Sequence, residues 1–227
     1  MKLPDGRVAV QTPYEPTTGS DFDLVFLDLT KNTIVQFRIQ SKRLTAHSKW
    51  WVSSYKELAH PHGTGLQVKT LIDPANLKGS IPTVPLYAFY NPGGVCGLAG
   101  VEGIALADAF EIEKIIDELI AAKPNRPKLK RISHLKSYFF SLTDIMCAPG
   151  GSKGRNFINP EEAVRGYAIA VNRRRNMWGD FQDPDIPKVG RDIPSDIRSL
   201  FSSGAERKLS EAKLKRPRIL IAADTDG

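Results

Sequence analysis

The residues with the clearest chemical potential are Asp21, Asp23, Gln40 and Lys42, which bracket the stretch DFDLVFLDLTKNTIVQFRIQSKRL from Asp21 to Leu44. Two runs in that stretch, Asp23–Leu29 and Thr33–Ile39, are rich in Val, Ile, Leu, Phe and Thr. Lys31 and Asn32 separate them as a short turn, so the pattern predicts an antiparallel hairpin. A hairpin of this length returns the end of its second strand to the start of its first. The Asp21/Asp23 pair and the Gln40-Ser41-Lys42 run are therefore expected at one end of a sheet. Gln40 and Lys42 lie two apart and point to one face, with Ser41 on the other. Carboxylates and an amide oxygen are hard ligands suited to Mg²⁺. A neighbouring lysine can orient an attacking water, lower its pKa, or stabilise charge building on a phosphate.

Gly19-Ser20-Asp21 leading into one strand, with Gln40-Ser41-Lys42-Arg43-Leu44 closing the next, resembles the PD-(D/E)xK nuclease superfamily. The resemblance is to its restriction-endonuclease-like members that carry a Q-x-K variant. Gln67 in a following helical segment and the run VPLYAFYN from Val84 to Asn91 extend the pattern over the first half of the chain. The resemblance implies an α/β fold with a mixed central sheet flanked by helices. It also implies Mg²⁺-dependent hydrolysis, with Mn²⁺ as an alternative ion, of phosphodiester bonds in nucleic acid, DNA foremost, in bacterial or phage-related DNA defence or processing. Asp21 would be the principal metal ligand and Asp23 a supporting one, with Gln40 positioning or binding the metal through its side-chain oxygen. Lys42 would align the water or stabilise the pentavalent transition state, Arg43 would contact a phosphate, and Gln67 would reach toward the site. Two features depart from the pattern. No helix with a glutamate is evident before Asp21, where Pro4, Gly6, Pro13, Pro16 and Gly19 dominate and Glu15 is the sole glutamate, and Gln40 brings one charge fewer than a carboxylate. These departures support an alternative from another class: a nuclease-like fold without catalysis, serving as a nucleic-acid-binding or protein-interaction module.

The elements that must position these residues come from a chain of 227 residues, long enough for a sizeable core. A hydrophobic fraction of 41% with 25% charged residues is that of an ordinary soluble domain. No run approaches bilayer-spanning length and the N-terminus lacks a signal-peptide pattern. Cys96 and Cys147 offer no disulfide framework, which points to a reducing cytoplasm. The net charge of +7 favours a polyanionic partner, nucleic acid above all, because phosphate contacts release counterions. A homodimer or a subunit of a larger complex is compatible with such an enzyme.

Strands are expected near 7–11, 84–90 and 218–223 besides the hairpin. Helices are expected at Gly65–Ala75, at Leu106–Ala122, and from Asn159-Pro160-Glu161-Glu162 into Arg173-Arg174-Arg175, with Asn as the cap and Pro in the first turn. Short helices are expected at Pro194–Phe201 and Ala205–Lys215. The basic Pro-containing run Lys123–Arg131 marks a boundary between a nuclease-like core at 1–125 and a helical C-terminal extension at 126–227 packed on it, or an internal joint in one compound domain of 1–227. Lys49-Trp50-Trp51 reads either as a substrate contact with a stacking tryptophan or as packing of the hairpin on a helix. Arg173, Arg174 and Arg175 read as a helix C-terminal cap or as a phosphate clamp. His60 and His62 read as a solvated loop, Glu113 and Asp117 as a solvated helix face, and Asn91-Pro92-Gly93-Gly94 as a turn without phosphate-loop spacing.

Overall fold

The computed structural model describes residues 8–10, 19–63, 65–77, 81–92, 103–122, 127–146, 159–176, 187–198 and 218–223. The strands are β1 (Val8–Val10), β2 (Phe22–Asp28), β3 (Thr33–Arg43), β4 (Pro61–His62), β5 (Gly65–Leu66), β6 (Thr83–Asn91), β7 (Gly103–Asp108), β8 (Phe140–Ser141), β9 (Gly190–Arg191) and β10 (Arg218–Ala223). The helices are α1 (Gln67–Ile72), α2 (Pro74–Leu77), α3 (Ala109–Ala121), α4 (Ile132–Leu135), α5 (Leu142–Met146), α6 (Pro160–Asn176) and α7 (Ser195–Arg198). The chain is a mixed α/β protein whose central mixed sheet runs in the order β1-β10-β2-β3-β6-β7-β8, with β9 pairing β3, and is flanked by helices.

The hairpin forms the middle of this sheet. β2 and β3 pair antiparallel with Phe22 opposite Ile39 and Asp28 opposite Thr33, and Asn32 takes a φ of 55° in the turn. Asp28 accepts the amides of Thr30 and Lys31 at 3.0 and 2.9 Å, a side-chain turn that closes the loop. The second strand is longer than its apolar run: β3 continues through Gln40-Ser41-Lys42-Arg43, because parallel β6 keeps pairing it from Gln36–Thr83 to Arg43–Tyr90. Polar residues there sit inside a strand whose backbone bonds are supplied by a partner remote in sequence. The expected helix at Leu106–Ala122 is likewise divided. Residues 103–108 form β7, and Asp108 caps α3 by accepting the amides of Phe110 and Glu111 at 2.9 and 3.0 Å.

Apolar residues on both faces of β2, β3 and β6 demand cover on both sides. On one face Tyr87, Phe89, Ala105 and Ala107 pack with Ile112 and Ile116 of α3, Leu71 of α1, and Tyr55. On the other, Phe26, Phe37, Leu86 and Leu106 pack with Val164, Tyr167 and Val171 of α6. That helix begins as its sequence prescribes: Asn159 Oδ1 accepts from the Glu162 amide at 2.8 Å, and Glu162 returns the bond to the Asn159 amide at 3.3 Å. Residues beyond 126 supply strands as well as helices, since β10 lies parallel to β2 and antiparallel to β1. The basic segment at Pro127–Arg131 is docked, not extended: the Tyr55 amide donates to the Lys130 carbonyl at 2.9 Å and the Ile132 amide to the Ser53 carbonyl at 3.0 Å. Among the described residues no helix is long and apolar enough to cross a membrane. Gly93, Gly94, Cys96, Cys147, the run 148–155 and the expected helix at Ala205–Lys215 lie outside the described residues.

Candidate functional site

The site begins with a glycine. Gly19 has φ +65°, and a Cβ there would stand 2.9 Å from the Gln67 carbonyl. The segment entering β2 is thereby pressed onto the first turn of α1, a closeness that a larger residue would prevent. Ser20 is buried, and Asp21 extends the strand, its amide donating to the Ile39 carbonyl at 2.9 Å.

Asp21 Oδ2 accepts two hydrogen bonds, from Gln40 Nε2 at 3.0 Å and from the Ser41 amide at 2.7 Å. Gln40 Nε2 also donates to the Ser41 carbonyl at 3.1 Å. The other end of that amide, Oε1, is buried and finds no hydrogen-bond partner among the described residues. One rung along the same face, Lys42 is 4% exposed and its Nζ donates to Gln67 Oε1 at 2.5 Å. Gln67 is itself buried at the start of α1, so the crossover between β3 and β6 supplies the acceptor that holds the ammonium. Asp21, Gln40, Lys42 and Gln67 are thus brought together from two strands and a helix.

Asp23 goes elsewhere. It is fully buried opposite Arg38 on β3, whose Nε lies 3.5 Å from Oδ1. The carboxylate is matched to a neighbouring cation within the sheet, whereas Asp21 meets Gln40. Arg43 lies on the opposite face of β3 from Lys42 and lines a cleft of about 510 Å³ with Tyr90, Asn91, Pro92, Gly103 and Ile104. Lys49 is exposed before the 3-10 turn of Trp50–Val52. The arginine run is not brought to the site: α6 covers the other face of the sheet, and Arg173 reaches Asp144 of α5 at 3.5 Å. Arg174 and Arg175 belong to α6, their side chains outside the described residues.

Tyr87 is the participant that the sequence does not reveal. The parallel register sets it opposite Gln40, and its hydroxyl is buried without a hydrogen-bond partner among the described residues. Burial, and secondarily the charge of Asp21, push its pKa above the ordinary tyrosine value. Its alternation on β6 was legible, but the pairing that places it beside Asp21 was not.

Other acidic and imidazole groups are occupied or apart. Glu113 and Asp117 bind Lys69 Nζ at 2.6 and 2.9 Å, and those bonds, with the one to Glu113 foremost, raise the lysine pKa. His60 is exposed before the β4–β5 hairpin. Among the described residues no group of three or more His, Cys, Asp or Glu side chains could hold a metal ion. A cation at Asp21 would therefore rely on mixed oxygens. The residues fit that role: half a turn of the Gln40 amide brings the orphaned Oε1 to the Asp21 carboxylate and the Ser41 carbonyl, where Nε2 now donates. A carboxylate, an amide oxygen and a backbone carbonyl are the donor class Mg²⁺ takes, with waters completing its shell.

No curated protein matches the chain, and no solved structure does. One family model spans it from residue 1 to residue 227, and the chain belongs to that family, DUF6615, described as a family of unknown function.

Proposed function

We propose that the protein is a metal-dependent phosphodiesterase acting on nucleic acid, with DNA as the first substrate to test, and that it works in the cytoplasm. The observation that carries the reading is the buried Lys42 ammonium, fixed by Gln67 on the same sheet face as the Asp21–Gln40 pair. Burying a cation is costly unless polar partners hold it, and a cation held at the edge of an oxygen cluster is suited to a developing phosphate charge. Asp21, Gln40 and the Ser41 carbonyl would hold the ion. Bound Mg²⁺ would supply Lewis-acid activation of water and of the scissile phosphate. Gln67 takes one of the three N–H groups of the Lys42 ammonium, which holds the nitrogen in one place with little rotamer freedom. Gly19 keeps the segment that leads into Asp21 close against α1, which preserves the spacing of Asp21 from the Lys42–Gln67 pair. Asp23 serves the strand pair with Arg38 and stays out of the chemistry.

A second reading, a binding module without catalysis, is favoured by one specific observation. Asp21 Oδ2 already receives two donors, the Gln40 amide and the Ser41 N–H, and so is satisfied without a cation. The two readings separate on purified protein incubated with linear, circular and single-stranded DNA and with RNA, in Mg²⁺, Mn²⁺ or EDTA, beside Lys42→Ala and Asp21→Ala checked by circular dichroism. Metal-dependent cutting lost in both variants supports the enzyme. Absence of cutting with salt-sensitive binding retained in both variants supports the module.

A further inference from the structure

Two segments that follow the candidate site and pair with each other carry a local excess of positive charge. Thr45–Leu58 follows β3 directly, and Pro127–Tyr138 is stitched to it by the Thr45–Ser54 and Ser54–Arg131 bridges and by Ser133 Oγ donating to the Trp51 carbonyl at 3.0 Å. Together the two segments hold Lys49, Lys56, Lys128, Lys130, Arg131 and Lys136 against the single acid Glu57, a local charge of +5 where the whole chain carries +7. In their midst stand two tryptophans with different surroundings. Trp50 is half-buried against the core, with Lys136 Nζ 5.4 Å over its ring. Trp51 meets Trp50 edge to face at 6.0 Å and is 48% exposed. Trp50 thus fixes the second indole, leaving Trp51 accessible at low entropic cost. The loop itself is anchored beneath, since Tyr55 Oη donates to Asn91 Oδ1 of β6 at 2.5 Å.

We infer that this surface is a platform for single-stranded nucleic acid, in which an unpaired base stacks on Trp51 while the lysines and Arg131 follow the phosphates. The inference rests on the nucleic-acid reading above and adds the form of the substrate. A flat indole within a cationic field is the arrangement that reads strands through stacking and phosphate contacts, and only an unpaired or terminal base offers it a face. Among the described side chains of these two segments no large apolar one besides Trp51 is exposed, which is little apolar area for a lipid interface. Arg43 and Leu44 alone separate Lys42 from Thr45, which places the platform just past the end of the strand that bears the site.

The test is tryptophan fluorescence and anisotropy of a fluorescein-labelled oligothymidylate, carried out in EDTA with the wild-type chain, Trp51→Ala, Trp51→Phe, Lys49→Ala and Lys128→Ala. A duplex of equal length and phosphatidylserine vesicles serve as competitors. The expected results are quenching by the single strand and roughly tenfold weaker binding in Trp51→Ala. Trp51→Phe should recover much of that loss, and each lysine variant should flatten the salt slope by about 0.7. Equal affinity in Trp51→Ala, preference for the duplex, or displacement by vesicles at lower concentration than by single strand each overturns the platform. Cutting that persists alongside such a result leaves the nuclease reading standing. Tryptophan-dependent binding with no cutting under either metal ion overturns the nuclease and keeps the platform.

Discussion

At the scale of single residues, the Lys42–Gln67 bond is the feature that local folding does not require. A buried ammonium costs solvation, and a side chain of similar length without charge would pack there with less penalty. We expect Lys42→Met to remain folded, with a melting temperature within a few degrees of wild type, while cleavage falls roughly 10²- to 10³-fold, the loss typical for a charge-stabilising donor. Thermal melts beside steady-state cleavage check this, and a variant that fails to fold would reassign Lys42 to structure. Gln40→Glu tests the oxygen set. It adds a carboxylate beside Asp21, and a unit charge about 4 Å from a cation is worth ~1 kcal/mol in water and ~4 kcal/mol near a protein surface. Mg²⁺ should bind at least about tenfold more tightly, as read by calorimetry in the absence of substrate. Tyr87 gives a pH test. Its folded pKa is raised above the unfolded value, so its contribution is complete below about pH 10 and is lost as pH climbs toward the folded value. Tyr87→Phe should leave stability at neutral pH nearly unchanged and flatten its decline under alkaline conditions. Denaturant titrations on either side of pH 10 measure that slope.

Elements set the distances between these residues, and two glycines show how tightly. Gly19→Ala puts a Cβ at a positive φ and against the Gln67 carbonyl. The expected cost is ~1–3 kcal/mol of stability, with a larger loss of cleavage, because the segment leading into Asp21 must move away from α1. Chemical denaturation beside activity distinguishes a displaced site from a weakened fold. Gly166 plays the corresponding part on the opposite face, where α6 crosses α5 so closely that a Cβ would overlap the Asp144 carbonyl. The cap of α6 is independent of the site. Asn159→Ala should cost about 1 kcal/mol and leave cleavage untouched, a useful control for variants that weaken both.

The whole molecule depends on contacts between distant parts of the chain. β10 lies between β1 and β2, its register running from Arg218–Asp23 to Ala223–Asp28. Removal of residues 218–227 would expose the edge of β2 and part β1 from the sheet, although the candidate residues lie far away in sequence. Such a truncation should unfold or aggregate, read by loss of a cooperative melt and by light scattering. Pairings this remote are paid for in loop closure before they return contacts, so refolding should be slow for the chain length.

What the sequence determined by itself was local. The β2–β3 hairpin, the turn at Asn32, the capped start of α6 and the α/β alternation all follow from period, turn chemistry and capping within a few residues. The approach of Asp21 to Gln40 follows from the same hairpin, because antiparallel register is set by its turn. Tertiary structure decided the rest. The polar end of β3 stays in the strand because β6 pairs with it as far as Arg43–Tyr90. Leu106–Asp108, expected as the first turn of a helix, is strand because β6 pairs with it. Asp23 and Asp21 look equivalent in sequence, but Arg38 sits opposite one of them and Gln40 opposite the other. Lys42 found Gln67, and Tyr87 came beside Gln40, through a parallel crossover whose register no local pattern encodes. Periodicity reports which face a residue occupies. Which residue meets it there depends on long-range pairing, and that information resides in the packed sheet.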